Sequence, residues 1–380
     1  MLSLHTNNAA LSAQNAISRN QSSLSTSMTR LSTGYRINSA MDDAAGLQIA
    51  TRLKAQTSGM AMAMRNTQNG ISMMQTAEGA LGETSNILVR MKDLATQAAD
   101  ASSTSADKTA MQSEYDALAR ELTNIVGNTS FGGSKLLTQA ATAGQKSTAA
   151  ADLGAATTAA TNAATATGNA LTAYSNAQTA YGTTPTAANA ATLATTKKAW
   201  EDATIAETAA VALRTSATAY NTAANASSTN GTFASAMNFQ IGASTSETMS
   251  LDITASLASL HVTLGDTSTN YNSFGAAMGL QGTELTGTGA SGMIDKLQAA
   301  IDSVGAVRSS LGAASNRLEH VSTNLSNISA NTEAATGRIM DVDFATESAN
   351  MTSNQMLLQA GTAMLKQSNS LSSMVMSLLQ

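Results

Sequence analysis

Three histidines and two pairs of acidic residues are the side chains whose types and spacing could support catalysis or metal binding. His5, His261 and His320 could serve as general acids or bases, or as metal ligands. They lie far apart in the sequence, and none has a second histidine at the spacing that two ligands of one metal need. We therefore expect each histidine to be a solvated or hydrogen-bonded side chain without a catalytic role.

The acidic pairs are Asp42 with Asp43 and Asp341 with Asp343. Paired carboxylates could bind a metal or act as a general acid and base. Both pairs precede predicted helices, however, where negative charge is stabilised by the positive end of the helix dipole. We predict helix capping here and no metal site.

Other catalytic classes lack their signature residues. The chain has no cysteine, which excludes disulfides, cysteine-based metal sites and thiol nucleophiles. The phosphate-binding pattern GxxxxGK[ST] has no match. The net charge of −5 and the lack of a basic cluster give no reason to expect a nucleic-acid partner. The sequence thus predicts no catalytic residue, no cofactor site and no enzyme.

Membrane and leader signals are missing as well. No run of about 20 apolar residues could span a bilayer, so we expect no membrane insertion. The opening MLSLHTNNAALSAQ lacks the basic segment and apolar run of a cleaved signal peptide. Taken alone, these features indicate a cytoplasmic protein.

Since the sequence predicts no catalytic site, its helical patterns are the main guide to function. The two ends of the chain show apolar stripes at near-heptad spacing. The N-terminal stripe consists of Leu4, Leu11, Ile17, Leu24 and Leu31. The C-terminal stripe consists of Leu357, Met364, Leu371 and Leu378, widened by Leu358 and Leu365. Each helix could pack on its own domain core. Uncharged polar faces on both ends instead favour pairing with each other and with neighbouring copies, which such marginal helices need.

Between the ends, three helical patterns predict an antiparallel bundle. The first runs from residue 44 to about 98 and the second contains Met111, Tyr115 and Leu122. The third starts at Met293 and keeps one heptad position apolar, at Leu297, Val304, Leu311, Leu318 and Leu325. Ser39 and the acids after it indicate a helix start following the Thr33-Gly34 turn. A second joint is predicted near Gly337-Arg338.

The rest of the chain consists of short extended segments and one region of biased amino-acid composition. Residues 130–137 and 239–253 predict short strands, and the run HVTL at 261–264 is also prone to β structure. Residues 140–230 consist largely of Ala and Thr, which fits either a disordered linker or helices. Helical faces at Leu171, Tyr174 and Tyr181, and a turn near Pro185, favour a helical hairpin. Trp200 is its expected packing anchor.

The string LSTGYRINSAMDDAAGLQIATR at 31–52 closely resembles the N-terminal signature of bacterial flagellins, the subunits of the flagellar filament. The string RIMDVDFATESANMTSNQMLLQAGTAMLKQSN at 338–369 and the closing SLLQ resemble the C-terminal signature. Together the resemblance covers roughly residues 1–137 and 233–380. The main departure from the family pattern is the stretch of about a hundred residues between the two β segments.

The resemblance implies a mainly α fold, a long antiparallel helical bundle with paired N- and C-terminal coiled-coil helices and a small β-hairpin region. It implies a terminal coiled-coil domain at 1–42 with 338–380, forming the inner tube of a filament. A core helical domain would occupy 43–139 with 233–337, and an Ala/Thr-rich outer domain would be inserted at 140–232.

The implied function is self-assembly into the filament that serves as the motility propeller, with the terminal stripes as contacts. The implied partners are other copies of the chain, the flagellar export apparatus and a secretion chaperone, and the filament cap and hook-junction proteins. Export in an unfolded form would place the protein outside the cell. Two alternatives stay open: a flagellin-like hook–filament junction protein, and a translocator or adhesin acting on host membranes, which would need a membrane segment.

One further site follows from the resemblance. In flagellins sensed by an innate immune Toll-like receptor, an Arg, a Leu and a Glu on the next helix form the contact. The matching residues here are Arg90, Leu94 and Glu114. Val89 and Asp93 depart from the residues common in that family.

Overall fold

The computed structural model describes residues 7–226, 230–275, 282–286 and 289–378, with side chains in the last helix up to residue 370. Most of these residues are helical, which confirms the mainly α fold class. The helices are α1 (Asn8–Thr33), α2 (Ala44–Ala99), α3 (Ser105–Asn128), α4 (Ala143–Thr183), α5 (Ala187–Ala226), α6 (Thr254–Thr267), α7 (Gly289–Met340) and α8 (Phe344–Leu378). The strands are β1 (Ser130–Phe131), β2 (Ser134–Lys135), β3 (Met237–Gln240) and β4 (Thr248–Leu251).

The chain folds into two compact units, which we call the terminal unit and the central unit. The terminal unit comprises Met1–Arg65, Ile241–Glu247 and Ser322–Gln380. The central unit comprises Asn66–Gln240 and Thr248–Val321. The division into three domains made from the sequence remains a proposal.

The central unit is built on an antiparallel bundle of helices. Lys92 of α2 donates to Gln298 of α7 over 2.6 Å, and Glu78 lies 3.7 Å from Arg308, so α2 and α7 run in opposite directions. The bundle core is apolar and contains the heptad residues that the sequence predicted. Among its buried side chains are Leu81, Leu88, Met91, Tyr115, Leu122, Leu297, Val304, Leu311 and Leu318.

Two antiparallel hairpins form where extended segments were predicted. β1 and β2 are joined by a two-residue turn of Gly132 and Gly133. Their φ angles of 58° and 85° are values that residues with a side chain rarely adopt. β3 pairs with β4 from Met237 opposite Leu251 to Gln240 opposite Thr248.

The run HVTL is helical, which corrects the expectation of β structure there. Residues 261–264 lie inside α6, where His261 and Leu264 are buried. Their β-branched residues favour strands only weakly, and burial of one face of α6 outweighs that preference.

The Ala/Thr-rich insertion is a helical hairpin of α4 and α5, which pack against each other. Trp200 stacks on Tyr174 with ring centroids 5.8 Å apart, so Trp200 anchors the pair as expected. Leu171 and Tyr181 do not share that contact, since they are 47% and 38% exposed. Small side chains allow the close approach of the helices and are buried at Ala149, Ala156, Ala160, Ala177, Ala217 and Ala224.

The two chain segments that enter and leave the hairpin, which we call its stem, are joined by hydrogen bonds. The Gly231 amide donates to the Thr138 carbonyl over 2.7 Å, and the Ala140 amide donates to the Asn230 side chain over 2.8 Å. At its base, Tyr220 packs on Phe274 with ring centroids 5.3 Å apart.

In the terminal unit, α1 packs against α8, which confirms the predicted pairing of the chain ends. The segments that follow α1 and α7 bind each other: the Arg36 amide donates to Met340, and the Val342 amide donates to Gly34. Tyr35 and Asp341 form an isolated antiparallel bridge.

The joints lie a few residues from their predicted places. α2 is capped by Asp43, whose carboxylate accepts from the Gly46 amide over 2.8 Å, and not by Ser39. Ser39 instead donates to Asp42, and this turn precedes the helix. α7 continues through Gly337 to Met340, because nothing at Gly337 breaks its hydrogen bonding.

Candidate assembly surface

The helix pair of α1 and α8 is antiparallel. Near one end Asn7 donates to the Ser368 carbonyl over 3.2 Å, and near the other Arg30 lies 3.8 Å from Glu347. Asn7 also caps α1 by accepting from the Ala10 amide, and Gly34 ends α1 with a φ of 75°. The two ends of the chain are thus brought together over the length of both helices.

Over the side chains that the structure describes, up to residue 370 of α8, this helix pair has no apolar core of its own. Among the described side chains, no apolar residue of α1 or α8 is buried, and the two buried side chains are polar: Ser27 at 4% and Glu347 at 7% exposure. In the whole described part of the terminal unit, the buried apolar residues are Ile37, Ala50, Met60, Ala63 and Leu325. The pair therefore gains little of the hydrophobic stabilisation that normally holds helices together.

The predicted assembly residues divide into two sets. Leu11, Leu357 and Met364 are 58%, 53% and 68% exposed. Half-buried positions are Ile17, Leu24 and Leu31 on α1, and Leu358 and Leu365 on α8. Leu4 and the side chains of Leu371 and Leu378 lie outside the described residues.

Exposed apolar side chains are concentrated in the terminal unit. Of the 17 large apolar side chains exposed in the described part of the chain, 11 belong to this unit, which holds about a third of the sequence. On the helix pair they are Leu11, Met28, Phe344, Met356, Leu357 and Met364. These side chains are the candidates for contacts with other proteins in this unit, because contiguous exposed apolar surface marks such contacts.

The three residues matched to the receptor contact do not form one exposed group. Arg90 binds Glu114 through two nitrogens, at 2.9 and 2.7 Å, and both side chains are about half exposed. Leu94 is only 2% exposed, so its side chain belongs to the bundle core.

The histidines and the acids occupy structural positions. His261 is buried, with Nδ1 2.7 Å from the Tyr271 hydroxyl and Nε2 2.9 Å from the Leu137 carbonyl. Since a carbonyl only accepts, Nε2 carries the proton and Tyr271 donates to Nδ1. Burial lowers the pKa of His261 to about 4. His320 is exposed, and His5 lies outside the described residues.

Asp42, Asp43 and Asp343 bind backbone and side-chain groups at helix starts. The pKa of Asp42 is lowered, chiefly by the hydrogen bond from the Asn38 amide. The pKa of Asp343 is lowered, chiefly by the Thr346 hydroxyl. In the part of the chain that the structure describes, no three His, Asp or Glu residues are grouped as metal ligands.

A buried polar cluster in the central unit was not predicted. The Gln112 amide nitrogen donates to both Asp116 and Glu284, each over 2.8 Å. Asp116 also accepts from the Gly282 amide, and burial raises its pKa. The only signal in the sequence was the four-residue spacing of Gln112 and Asp116 beside Tyr115, and Glu284 is distant in sequence. The cluster ties residues 282–285 to α3.

Among the described helices, none combines the length and apolarity that crossing a membrane requires. The translocator alternative therefore has no membrane segment in these helices.

Comparison with known proteins identifies both ends of the chain. Residues 4–142 match the family model described as bacterial flagellin N-terminal helical region, and residues 294–379 match the bacterial flagellin C-terminal helical region. The two matches together cover more than half of the chain.

Curated relatives agree with the family models. The chain is 52% identical over 136 residues to flagellin C of Vibrio cholerae serotype O1, which is 36% of each protein. It is 53% identical over 136 residues to the B-type flagellin of Pseudomonas aeruginosa, covering 36% of this chain and 28% of that protein. The chain thus matches about a third of the length of these relatives.

Among solved structures, the crystal structure of Bacillus cereus flagellin is similar at a TM-score of 0.37 and 22% identity, over 69% of this chain and 88% of that one. The family assignment depends on the two terminal regions, which carry the paired helices α1 and α8 and most of the bundle. This chain belongs to the bacterial flagellin family.

Proposed function

We propose that this protein is a structural subunit that assembles with copies of itself into the filament of a bacterial flagellum. The observation that carries the proposal is the helix pair of α1 and α8, which exposes large apolar side chains and buries none among its described residues. Full burial of such side chains stabilises by roughly 1.5–3 kcal/mol each. Neighbouring copies would supply that burial.

An open filament requires contacts between two different surfaces of each copy, because identical self-complementary surfaces give closed dimers. The helix pair offers exposed apolar residues on both of its members, with Leu11 and Met28 on α1 and Met356, Leu357 and Met364 on α8. A helix pair that is exposed on several sides can contact more than one neighbour at once. This arrangement supports a polymer with α1 and α8 on its inside.

The proposal extends to export and location. We infer that the chain leaves the cell unfolded through the flagellar export apparatus, with a secretion chaperone, and polymerises outside the cell at the filament cap, beyond the hook-junction proteins. Two features support this route. Both α1 and α8 carry few charges, and their described side chains form no apolar core that would have to unfold first. The proposed role is structural and needs no catalysis or cofactor.

The experiment is seeded elongation of purified chain on short filament fragments, followed by electron microscopy. In Leu357→Asp with Met364→Asp, charges replace two exposed apolar side chains of α8. We expect elongation to fall about tenfold or more, since two buried charges would oppose each contact. The matched control is Ile205→Asp with Val211→Asp, on exposed positions of α5, which should elongate like the parent chain.

Two outcomes would overturn the proposal. If the parent chain does not elongate, or adds only a short cap to each seed, the junction-protein alternative is favoured. If both double variants elongate like the parent, the helix pair is not the assembly surface.

A second proposal concerns recognition by an innate immune Toll-like receptor. The exposed pair of Arg90 and Glu114 supports it. The buried Leu94 would not touch the receptor but would hold α2 in position. We expect Arg90→Ala to reduce signalling by soluble chain in receptor-expressing cells at least tenfold without changing its unfolding temperature. Arg308→Ala, which removes another exposed ion pair of α2, is the control. Equal loss in both variants would contradict this role.

A further inference from the structure

The apolar positions of α8 that are half-buried against α1 do not distinguish one register of the helix pair from the next. Met351, Leu358 and Leu365 are seven residues apart and chemically alike. A slip of one heptad moves α8 about 10 Å along α1 and replaces one of these apolar side chains by the next. The apolar stripe alone therefore permits several registers.

A neighbouring heptad position on α8 differs at every repeat. It is occupied by Glu347, Asn354, Gly361 and Ser368, all of them buried or half-buried. Two of these residues bind polar partners on α1 or at its N-cap. Glu347 lies 3.8 Å from Arg30, and Ser368 binds Asn7 at 3.2 Å through its carbonyl and its hydroxyl.

Gly361 faces Ile17 at a close approach. A Cβ atom added to Gly361 would lie 2.9 Å from Ile17 Cγ1, which is too short for an undistorted contact. A slip of one heptad would place Asn354 or Ser368 opposite Ile17. Either side chain would force the helices apart at that point.

The ion pair is the costliest contact to lose. The Glu347 side chain is 10% exposed and the Arg30 side chain 29%, and the Arg30 Nε atom is buried without a hydrogen-bond partner among the described residues. The other cation of α1 is Arg19, three turns away and exposed. A slipped register would leave the Glu347 carboxylate buried without a counter-charge, which is strongly unfavourable.

We propose that the heptad position of Glu347, Gly361 and Ser368 specifies a single register of α8 on α1, and that the Arg30–Glu347 pair is its main determinant. The inference deepens the proposed assembly function: the register decides which exposed residues of the two helices lie side by side, and so which surface the next copy meets. The partner that this surface recognises is a second copy paired in the same register.

The test uses engineered cysteines in the full chain, which has none of its own. Asn7→Cys with Ser368→Cys reports the observed register, and Asn7→Cys with Val375→Cys reports a slip of one heptad. Both reporters lose the Asn7 cap equally. The ratio of the two disulfide yields is measured in free chain under a mild oxidant, with trimethylamine N-oxide added to favour burial.

We expect the observed register to dominate in the parent. In Glu347→Gln or Arg30→Gln, the ratio should fall roughly tenfold, and Arg30→Glu with Glu347→Arg should restore part of it. Arg19→Gln and Lys366→Gln, which remove the other charges of the two helices, should leave it unchanged. A parent ratio near one, or an unchanged ratio in both Gln variants, would overturn the inference.

Seeded elongation of the same variants separates this inference from the proposed function. A parent chain that does not elongate argues against assembly, whereas the disulfide ratio reports the register in either case. If Glu347→Gln shifts the ratio, its elongation should fall with it. Elongation at the parent rate despite a shifted ratio would show that assembly does not need this register.

Discussion

His261 illustrates how single residues hold the central unit together. Its ring accepts from Tyr271 and donates to the Leu137 carbonyl, so it connects α6, the segment after it and the stem of the insertion. Protonation would add a proton at Nδ1, where Tyr271 now donates, and would place a charge in a buried site. The residue is therefore a structural group whose contribution depends on pH.

We expect this dependence to be measurable. The pKa of His261 in the folded chain is about 4, below the ordinary value of 6.5, so the unfolded chain binds more protons between these values. Stability should be lost as the pH falls from about 6.5 through 4, by up to about 3 kcal/mol. His261→Gln keeps one donor and one acceptor without titrating, and its unfolding free energy should decline less in this range.

Urea unfolding of the two chains at pH 7, 5.5 and 4.5 measures the difference. His320→Gln, at an exposed position, serves as the control. Burial raises the pKa of Asp116, so its protonation stabilises the folded chain as the pH falls, but this effect is the same in all three chains. Parallel pH profiles for the parent and His261→Gln would contradict the claim that protonation of His261 destabilises the folded chain.

At the scale of elements, heptad patterns identified most helices and much of their core. Leu297, Val304, Leu311 and Leu318 lie at one repeated position and are all buried. The pattern was less informative about faces, because Leu357 and Leu358 are adjacent and either can begin a stripe. Only packing on α1 shows that Leu357 is exposed while Leu358 is half-buried.

Two further features, a helix start and a buried polar cluster, could not be located from the sequence. Ser39, Asp42 and Asp43 are all good caps, and local chemistry alone does not choose among them. The cluster of Gln112, Asp116 and Glu284 depends on a contact between residues 172 apart, which a single sequence does not show.

The insertion is an element that the remaining fold should tolerate losing. Its stem is closed by hydrogen bonds at Thr138, Ala140, Asn230 and Gly231. Replacing residues 141–229 with a short Gly-Ser linker removes the hairpin and the packing of Tyr220 on Phe274. We expect a folded chain, with an unfolding temperature lower by a few degrees and seeded elongation close to the parent rate.

Calorimetry and electron microscopy check this expectation, and the resulting filaments should be thinner. Loss of cooperative unfolding in the shortened chain would show that the hairpin is part of the central fold. A chain that folds but does not elongate would place the assembly surface on α4 and α5.

At the scale of the whole molecule, the two units differ in how they are stabilised. The central unit buries many apolar side chains, whereas the helix pair of the terminal unit buries only Ser27 and Glu347 among its described side chains. Such a pair should open easily in a free chain, because local stability follows the number of buried apolar contacts. Contact with neighbouring copies would supply the missing burial and make opening of the helix pair rarer.

Hydrogen–deuterium exchange of the free chain and of seeded filaments tests this claim most directly. We expect peptides from α1 and α8 to exchange fast in the free chain and at least a hundredfold more slowly in the filament. Peptides from α3 and from the part of α7 in the central unit should be protected in both states. Equal exchange of α1 and α8 in the two states would contradict the claim that contact with neighbouring copies stabilises the helix pair.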